Sequence, residues 1–222
     1  MKSRGVFITV EGTEGSGKST QARLLADALR RRGRRVVHTR EPGGTSIAEA
    51  VRRVLLRPDG RVAPLTELLL YEAARAQHLT EIVRPALARG AVVVCERYTD
   101  ATLAYQGFGR GLDRREIEVL NRIATGGLRP RLTFLLDVPV ARGLRAARSL
   151  KKPLSKGGRK TAGDRLEREP LAFHQRVRRG YLALARLEPG RFRVIPWGGT
   201  AVQIHEHIRR EAEKLPSTTD TL

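Results

Sequence analysis

A three-layer α/β fold, with a parallel sheet of five strands covered by helices on both faces, follows from three features of this chain. A glycine-rich loop stands between a strand signal and a helix signal near the amino terminus. Strand and helix signals then alternate to the end, the pattern of successive βαβ units. The strand segments are nearly unbroken apolar runs, which suits strands covered on both faces.

The first strand reads Val6-Phe7-Ile8-Thr9-Val10. The helix after it runs from Ser19 to Arg32, with Ala22, Leu25, Ala28 and Leu29 at spacings of three and four. Gly33 closes that helix, and Val36 to Thr39 reads as the second strand. Further strands are expected over Ala91 to Cys95, Leu132 to Val138 and Phe192 to Ile195. Helices are expected over Ser46–Leu56, Leu65–Ala88, Arg114–Ala124, Val140–Ser149, Leu171–Leu187 and Ala201–Leu215. Pro85 lies inside the longest of these and is expected to kink it or end its regular hydrogen bonding. Asp113 and Glu116 form an expected capping pair for the helix at Arg114.

The loop itself reads Gly12-Thr13-Glu14-Gly15-Ser16-Gly17-Lys18-Ser19, the G-x-x-x-x-G-K-[ST] spacing of a phosphate-binding P-loop. Glycines let backbone N–H groups converge on an anion, and the helix amino terminus adds its partial positive charge. Lys18 reaches β- and γ-phosphates in such a loop, and the Ser19 hydroxyl ligates Mg²⁺. Residues 12–20, through Thr20, are therefore the expected ATP-binding stretch.

Length and composition bound the rest. The 222 residues suit one domain, expected over residues 1–215, with a polar tail over 216–222. The chain has one cysteine, Cys95, inside an apolar run, so it reads as a buried small hydrophobe and excludes an intrachain disulfide. No apolar stretch approaches the roughly 20 residues of a membrane span. The first strand begins almost at the amino terminus, leaving no room for a signal peptide, and a cytoplasmic location is expected. Forty-three residues are basic, 36 of them arginine, against 23 acidic ones, for a net charge of +20. The arginines are spread along the chain, which favours solvated faces over a nucleic-acid footprint, with some attraction for polyanionic nucleotides. Residues 149–163 are basic and glycine-rich with few apolar side chains; they read either as a surface loop or as a mobile lid (about 149–165) whose cations close over phosphates.

Other clusters fall at strand ends or on helix faces, where open α/β sheets hold ligands. Thr39-Arg40-Glu41-Pro42-Gly43-Gly44-Thr45 is a proline- and glycine-fixed loop with a charged pair, a candidate substrate wall. Tyr71 and Arg75 share a helix face; the ring can stack on a base and the arginine can donate to base carbonyls, although a half-buried tyrosine and a surface arginine is the plainer account. Glu96 and Arg97 follow the third strand: the carboxylate is placed to hold Mg²⁺ through water, and the guanidinium to bridge two phosphates. Thr102, Tyr105 and Gln106 offer neutral polar contacts. Arg148 and Arg165 flank the candidate lid as cations for a phosphoryl-transfer transition state.

In this order the clusters resemble the thymidylate kinase family, a branch of the P-loop nucleoside monophosphate kinases. The stretches that carry the resemblance are Glu11 to Ser19, Thr39 to Thr45, Ala73-Ala74-Arg75, Glu96-Arg97-Tyr98, Ala104 to Gly107, Leu136-Asp137-Val138 and Asp164-Arg165-Leu166-Glu167, and it runs from about residue 5 to about residue 212, with a bacterial cast. The resemblance implies phosphoryl transfer from ATP to dTMP, Mg²⁺ as cofactor, a homodimer, and neither a membrane nor a specific nucleic-acid partner. It implies that Tyr71 stacks on thymine, that Arg75 and Gln106 contact the base, and that Thr102 lines the same pocket. It implies further that Tyr105 crowds a ribose 2′-OH, that Glu41 and Pro42 belong to the substrate wall, and that Arg52 and Arg97 lie near the acceptor phosphate. Glu14, Lys18, Arg97 and one of Arg148 and Arg165 are the implied catalytic set; Ser19 and Glu96, the latter through water, are the implied metal residues. The chain differs from the family pattern in Glu96 for an aspartate, in Tyr71 for a phenylalanine, in a longer and more basic 149–163 segment, and in Ile195-Pro196-Trp197-Gly198 after the last strand. Three other readings fit the phosphate loop: a kinase for a different small acceptor, a basic nucleic-acid-dependent NTPase, and an inactive P-loop protein that binds nucleotide as a regulator, against which the near-complete set of phosphate ligands speaks. The low aromatic content, 5%, speaks against the base-stacking surface that the second needs.

Overall fold

The computed structural model describes residues 5–58, 60–150 and 164–215, so most of the candidate lid and the tail at 216–222 lie outside the described residues. Five strands form one parallel sheet in the order β2-β3-β1-β4-β5. They are β1 (Val6–Glu11), β2 (Val36–Arg40), β3 (Val92–Glu96), β4 (Leu132–Asp137) and β5 (Phe192–Pro196). Three of them, β1, β2 and β5, extend the expected apolar run by a residue, β3 shifts it by one, and β4 ends one residue before the expected Val138. The alternating side chains of β1 feed two cores: Ile8 and Val10 face α1 (Lys18–Arg31) and α9 (Ala201–Glu213), while Phe7 packs on the opposite face with Val93 and Tyr98.

The register aligns the strand ends that matter. Val10 pairs with Glu96, and Arg40 pairs with Glu96 from the other side. The Glu41 N–H donates to the Glu96 carbonyl (2.8 Å) and the Arg97 N–H to the Val10 carbonyl (3.1 Å). Glu11, Glu41, Glu96 and Arg97 are thereby gathered at one edge, the carboxyl end of the sheet.

The helices α2 (Ser46–Leu56), α6 (Arg114–Thr125), α7 (Val140–Leu150) and α8 (Leu171–Leu187) agree with expectation. The expected long helix is instead three pieces: α3 (Pro64–His78), a wider π-type turn over Leu79–Val83, and α4 (Arg84–Ala88). Pro85 has no N–H to give the regular ladder and its ring crowds the preceding turn, so the widening lies just ahead of it. Asp113 caps α6 through the Arg115 N–H (2.8 Å) without Glu116, which corrects the expected pair. A full capping box, Thr200 with Gln203, starts α9 and was not anticipated.

The sequence carries no clear strand or helix signal over Thr99 to Gly109. That segment folds as α5 (Thr99–Thr102) and a second π-type stretch, Leu103–Gly109, closed by Arg110 N–H donating to the Tyr105 carbonyl (2.9 Å). Glycines weaken the local helix signal here, but tertiary packing needs them: a Cβ at Gly109 would strike the Phe173 ring and one at Gly180 the Phe108 ring. That close approach of the stretch to α8 carries Tyr105 and Gln106 to the cleft.

Candidate functional site

A cleft of about 360 Å³ opens at the carboxyl ends of β1, β2 and β3. Its lining takes in the P-loop, the Arg40–Pro42 turn, α2 through Arg52, α3 through Tyr71 and Arg75, Glu96–Arg97, and Thr102, Tyr105 and Gln106. All nine expected substrate residues therefore meet in one cavity.

At one end the P-loop wraps the amino terminus of α1. Gly12, Gly15 and Gly17 have φ of 145°, 65° and 92°. Nothing lies near the position a Cβ would take at Gly17, whereas one at Gly15 would collide with the Gly143 carbonyl, so the loop lies backbone to backbone on α7. Lys18 is buried and turns back on its own loop, donating to the Thr13 carbonyl (2.6 Å) and Ser16 Oγ (3.3 Å). Loss of hydration, with the Arg97 charge, pushes its ammonium down to about 7 against the pull of Glu14, Glu11 and Glu96. Ser19 Oγ donates to Glu96 Oε2 (2.5 Å), and His38 Nε2 donates to the other oxygen (3.2 Å). Burial raises the Glu96 carboxyl, but these two bonds and the nearby cations bring it below its usual range. Thr20 is exposed on α1, away from the cleft lining.

Arg97 occupies the middle. Its φ of 67° is the only left-handed value at a non-glycine among the described residues. Nη2 donates to Glu14 Oε1 and to Tyr105 Oη, both at 3.0 Å, and Nη1 to Tyr181 Oη (3.3 Å). The two phenols donate onward, Tyr105 to Glu14 (2.6 Å) and Tyr181 to Glu11 (2.8 Å). The Tyr98 N–H reaches the other Glu11 oxygen at 2.7 Å. Burial, with the Asp100 charge, raises the Glu11 carboxyl to about 7 despite Arg97. Burial also works on Glu14, but the bond from His174 Nδ1 (3.2 Å), the Arg97 and Lys18 charges and the Tyr105 hydroxyl outweigh it and hold the group well below the usual range.

At the far end Arg75 is 2% exposed. All five of its N–H groups are taken: by Glu41 (2.8 Å), Glu72 (2.6 Å), Asn121 (2.9 Å), the Tyr98 carbonyl (3.1 Å) and Thr102 Oγ1 (2.8 Å). It is not the surface arginine of the plainer account; it holds Glu41 and Thr102 in place from behind. His78 Nδ1 donates to the second Glu41 oxygen (3.0 Å), and His78 Nε2 meets Thr39 Oγ1 (2.7 Å). Arg52 gives one donor to the Pro42 carbonyl (2.9 Å). Tyr71 has no protein hydrogen-bond partner for its hydroxyl among the described residues, and burial raises that hydroxyl far above its usual range.

Two expected catalytic cations are not brought to the cleft lining. Arg165 turns to α3, where Nη1 meets Glu67 (2.6 Å) and Nε donates to the Leu55 carbonyl (3.0 Å). Arg148 lies exposed in the last turn of α7. The sequence reading missed Glu11, His38, Glu67, Glu72, His78, His174 and Tyr181. A signal existed for several: Glu67, Glu72, Arg75 and His78 sit in the buried stripe of α3, and His174 in that of α8. A polar residue inside a buried stripe must find a partner.

The thymidylate kinase family model matches residues 10–208. The chain belongs to the thymidylate kinase family. A thymidylate kinase of Syntrophotalea carbinolica is 53% identical over 203 residues, 91% of this chain and 92% of its own. One from Trichlorobacter lovleyi is 56% identical over 191 residues, 86% and 88% of the two chains. The crystal structure of thymidylate kinase from Ehrlichia chaffeensis superposes with a TM-score of 0.73 at 33% identity, covering 94% of this chain and 99% of that one. Family membership makes the chain an enzyme of the transferase class, a dTMP kinase with ATP as co-substrate.

Proposed function

We propose that this cleft joins ATP and dTMP end to end, with the P-loop taking the donor phosphates and the Tyr71–Gln106 end taking thymine. The observation that carries the reading is the position of Arg97, between the P-loop carboxylate Glu14 and the acceptor side of the cavity. The dTMP phosphate is already ionised near neutral pH, so no general base is required. One of its oxygens bonds to the γ-phosphorus while the bond from that phosphorus to the bridging oxygen of ADP breaks. Positioning and charge neutralisation then carry the rate.

Each residue has a task in this reading. Backbone N–H groups of Gly12–Ser19 and the Lys18 ammonium hold the donor phosphates; Lys18 exchanges the Thr13 carbonyl for a phosphate oxygen, and its charge is restored there. Arg52 and Arg97 hold the acceptor phosphate. Glu14 and Tyr105 orient Arg97, and Tyr105 closes the sugar side. Glu41, Pro42 and Thr102 form the wall that Arg75 supports. One flanking arginine, Arg148 or Arg165, serves the transfer in this reading, and either has to move to reach the phosphates, Arg165 from Glu67 and Arg148 from the last turn of α7. Ser19 and Glu96 offer two hard oxygen donors within hydrogen-bond reach of each other, which fits Mg²⁺. The ion supplies charge stabilisation on the donor phosphates when bound, with Glu96 acting through water.

The working unit we propose is a homodimer of single-domain subunits in the cytoplasm, each with a lid over about 149–165 and a tail over 216–222. Free, buried Cys95 fits a reducing compartment. Exposed apolar residues Ile47 and Val54 of α2, Leu65 and Leu69 of α3, and Val119 and Ile123 of α6 support a shared docking face, because α3 packs against both other helices. The double variant Leu69→Arg/Ile123→Arg is expected to sediment as a monomer while the wild type sediments as a dimer.

The direct test is ADP release with ATP·Mg²⁺ and each of dTMP, dUMP, dCMP, dGMP, AMP and thymidine. Strong turnover with dTMP, weaker turnover with dUMP and little with the rest is expected. Equal turnover with dCMP or thymidine overturns the assignment of the base end.

A further inference from the structure

Glu67 is fully buried in α3, one turn before Tyr71. Its Oε1 accepts from Gln106 Nε2 (2.7 Å) and Arg110 Nε (3.2 Å); its Oε2 meets Arg110 Nη2 (3.0 Å) and Arg165 Nη1 (2.6 Å). Burial raises the carboxyl, but the bonds from Arg110 and Gln106 and the two guanidinium charges outweigh it and keep the group ionised. An ionised carboxylate only accepts hydrogen bonds. It therefore admits the NH₂ side of the Gln106 amide and repels the carbonyl side. The amide oxygen is left for the cleft, which Gln106 lines, and no protein donor meets that oxygen among the described residues.

We propose that Glu67 is a positioning residue for base selection, locking the Gln106 amide so that the cleft presents an acceptor and not a donor at that point. An acceptor suits a pyrimidine whose N3 carries hydrogen, as in thymine and uracil. It opposes cytosine, whose N3 is a lone pair. Turning the amide over would suit cytosine, but would set the Gln106 carbonyl against the Glu67 carboxylate. The selection thus comes from a residue that does not touch the base, and it rests on the reading of Gln106 as a base contact. Glu167 and Leu166 line the cleft beside Arg165, so the same carboxylate also ties this wall to α3.

The test is the ratio of kcat/KM for dTMP to that for dCMP in Glu67→Gln, with dUMP as internal control. A neutral partner lets the Gln106 amide take either orientation. The dTMP:dCMP ratio is expected to fall by about tenfold or more, since a site built to pair one pattern of donors loses its power to reject the other. The dTMP:dUMP ratio should stay within about twofold, because both bases carry hydrogen on N3. General damage to the pocket would lower all three rates together, and that result overturns the proposal. Gln106→Leu separates the two layers. If it leaves KM for dTMP unchanged, the base contact itself fails; if it raises that KM while Glu67→Gln keeps the wild-type dTMP:dCMP ratio, Glu67 has no orienting role. Should Glu67→Gln not fold, Glu67→Asp keeps the charge for Arg110 and Arg165 but withdraws it from Gln106, and is expected to lower the ratio in the same direction. In the wild type, Gln106 side-chain NH₂ hydrogens that exchange with water as fast as an exposed amide would also overturn it.

Discussion

At the phosphate end of the cleft, Lys18 is buried with a backbone carbonyl and a serine hydroxyl as its hydrogen-bond partners among the described residues. At the base end, Arg75 is buried with every donor matched, two of them to carboxylates. The phosphate end keeps its lysine where burial disfavours the charged form until an anion arrives. The base end has its buried arginine fully paired without a ligand and presents shape and a few fixed polar atoms. One end is built to respond to what binds, the other to remain as it is. The difference fits the ligands, since phosphates bring charge that can restore the Lys18 ammonium, whereas a neutral pyrimidine cannot repair an unpaired buried ion.

The comparison breaks most sharply at Lys18. Lys18→Ala should lower kcat by about 10³-fold or more, with the melting temperature close to wild type because little native bonding is lost. Near-normal turnover in this variant would remove the phosphate end from the mechanism. Arg75→Met should do the reverse. It leaves Glu41 and Glu72 without their cation, at a cost of about 3–5 kcal/mol in urea unfolding. A loss under about 1 kcal/mol would mean that the base end is not held by charge pairing.

Protonation gives a finer test. Lys18, at about 7 in the folded protein against 10.5 for the ordinary side chain, is mostly neutral at pH 8. Between those two values the unfolded chain holds the extra proton, so this group's contribution to stability rises with pH across that window and is flat below it. Glu11 works oppositely: between 4.5 and about 7 the folded protein holds the proton, so its contribution falls as pH rises. Binding of ATP·Mg²⁺ at pH 8 should restore the Lys18 charge and take up about one proton, read by calorimetry in buffers of different ionisation enthalpy. Zero uptake would place the Lys18 ammonium at its ordinary value. The smallest effect belongs to neither end. Thr200→Ala removes the α9 capping box and should cost about 1 kcal/mol with kcat unchanged, a baseline for stability effects away from the cleft.

The two ends also differ in how far they are legible in the chain. The phosphate end is nearly contiguous, from Val6 to Ser19, because a strand, a glycine turn and a helix start are local matters of backbone geometry. Its more distant members, Glu96 and Arg97, were readable as the end of an apolar run. The base end is assembled from β2, α2, α3 and the Thr99–Gly109 segment, and four of the five bonds of Arg75 alone reach residues 23 to 46 positions away. No local pattern says that Glu67 meets Gln106 or that Arg165 turns to α3 and not to the phosphates. The π-type stretch that brings Gln106 into place is set by the fit of Gly109 and Gly180 against aromatic rings, which is a property of the packed molecule.

Arg97 holds a backbone conformation that glycine adopts freely and an arginine does not. A population of variants selected only for heat resistance should therefore drift toward glycine or asparagine at position 97, and a population whose growth depends on product made by the enzyme should not. Sequencing both would show at one codon which demand, durability or turnover, has shaped a lineage of this protein.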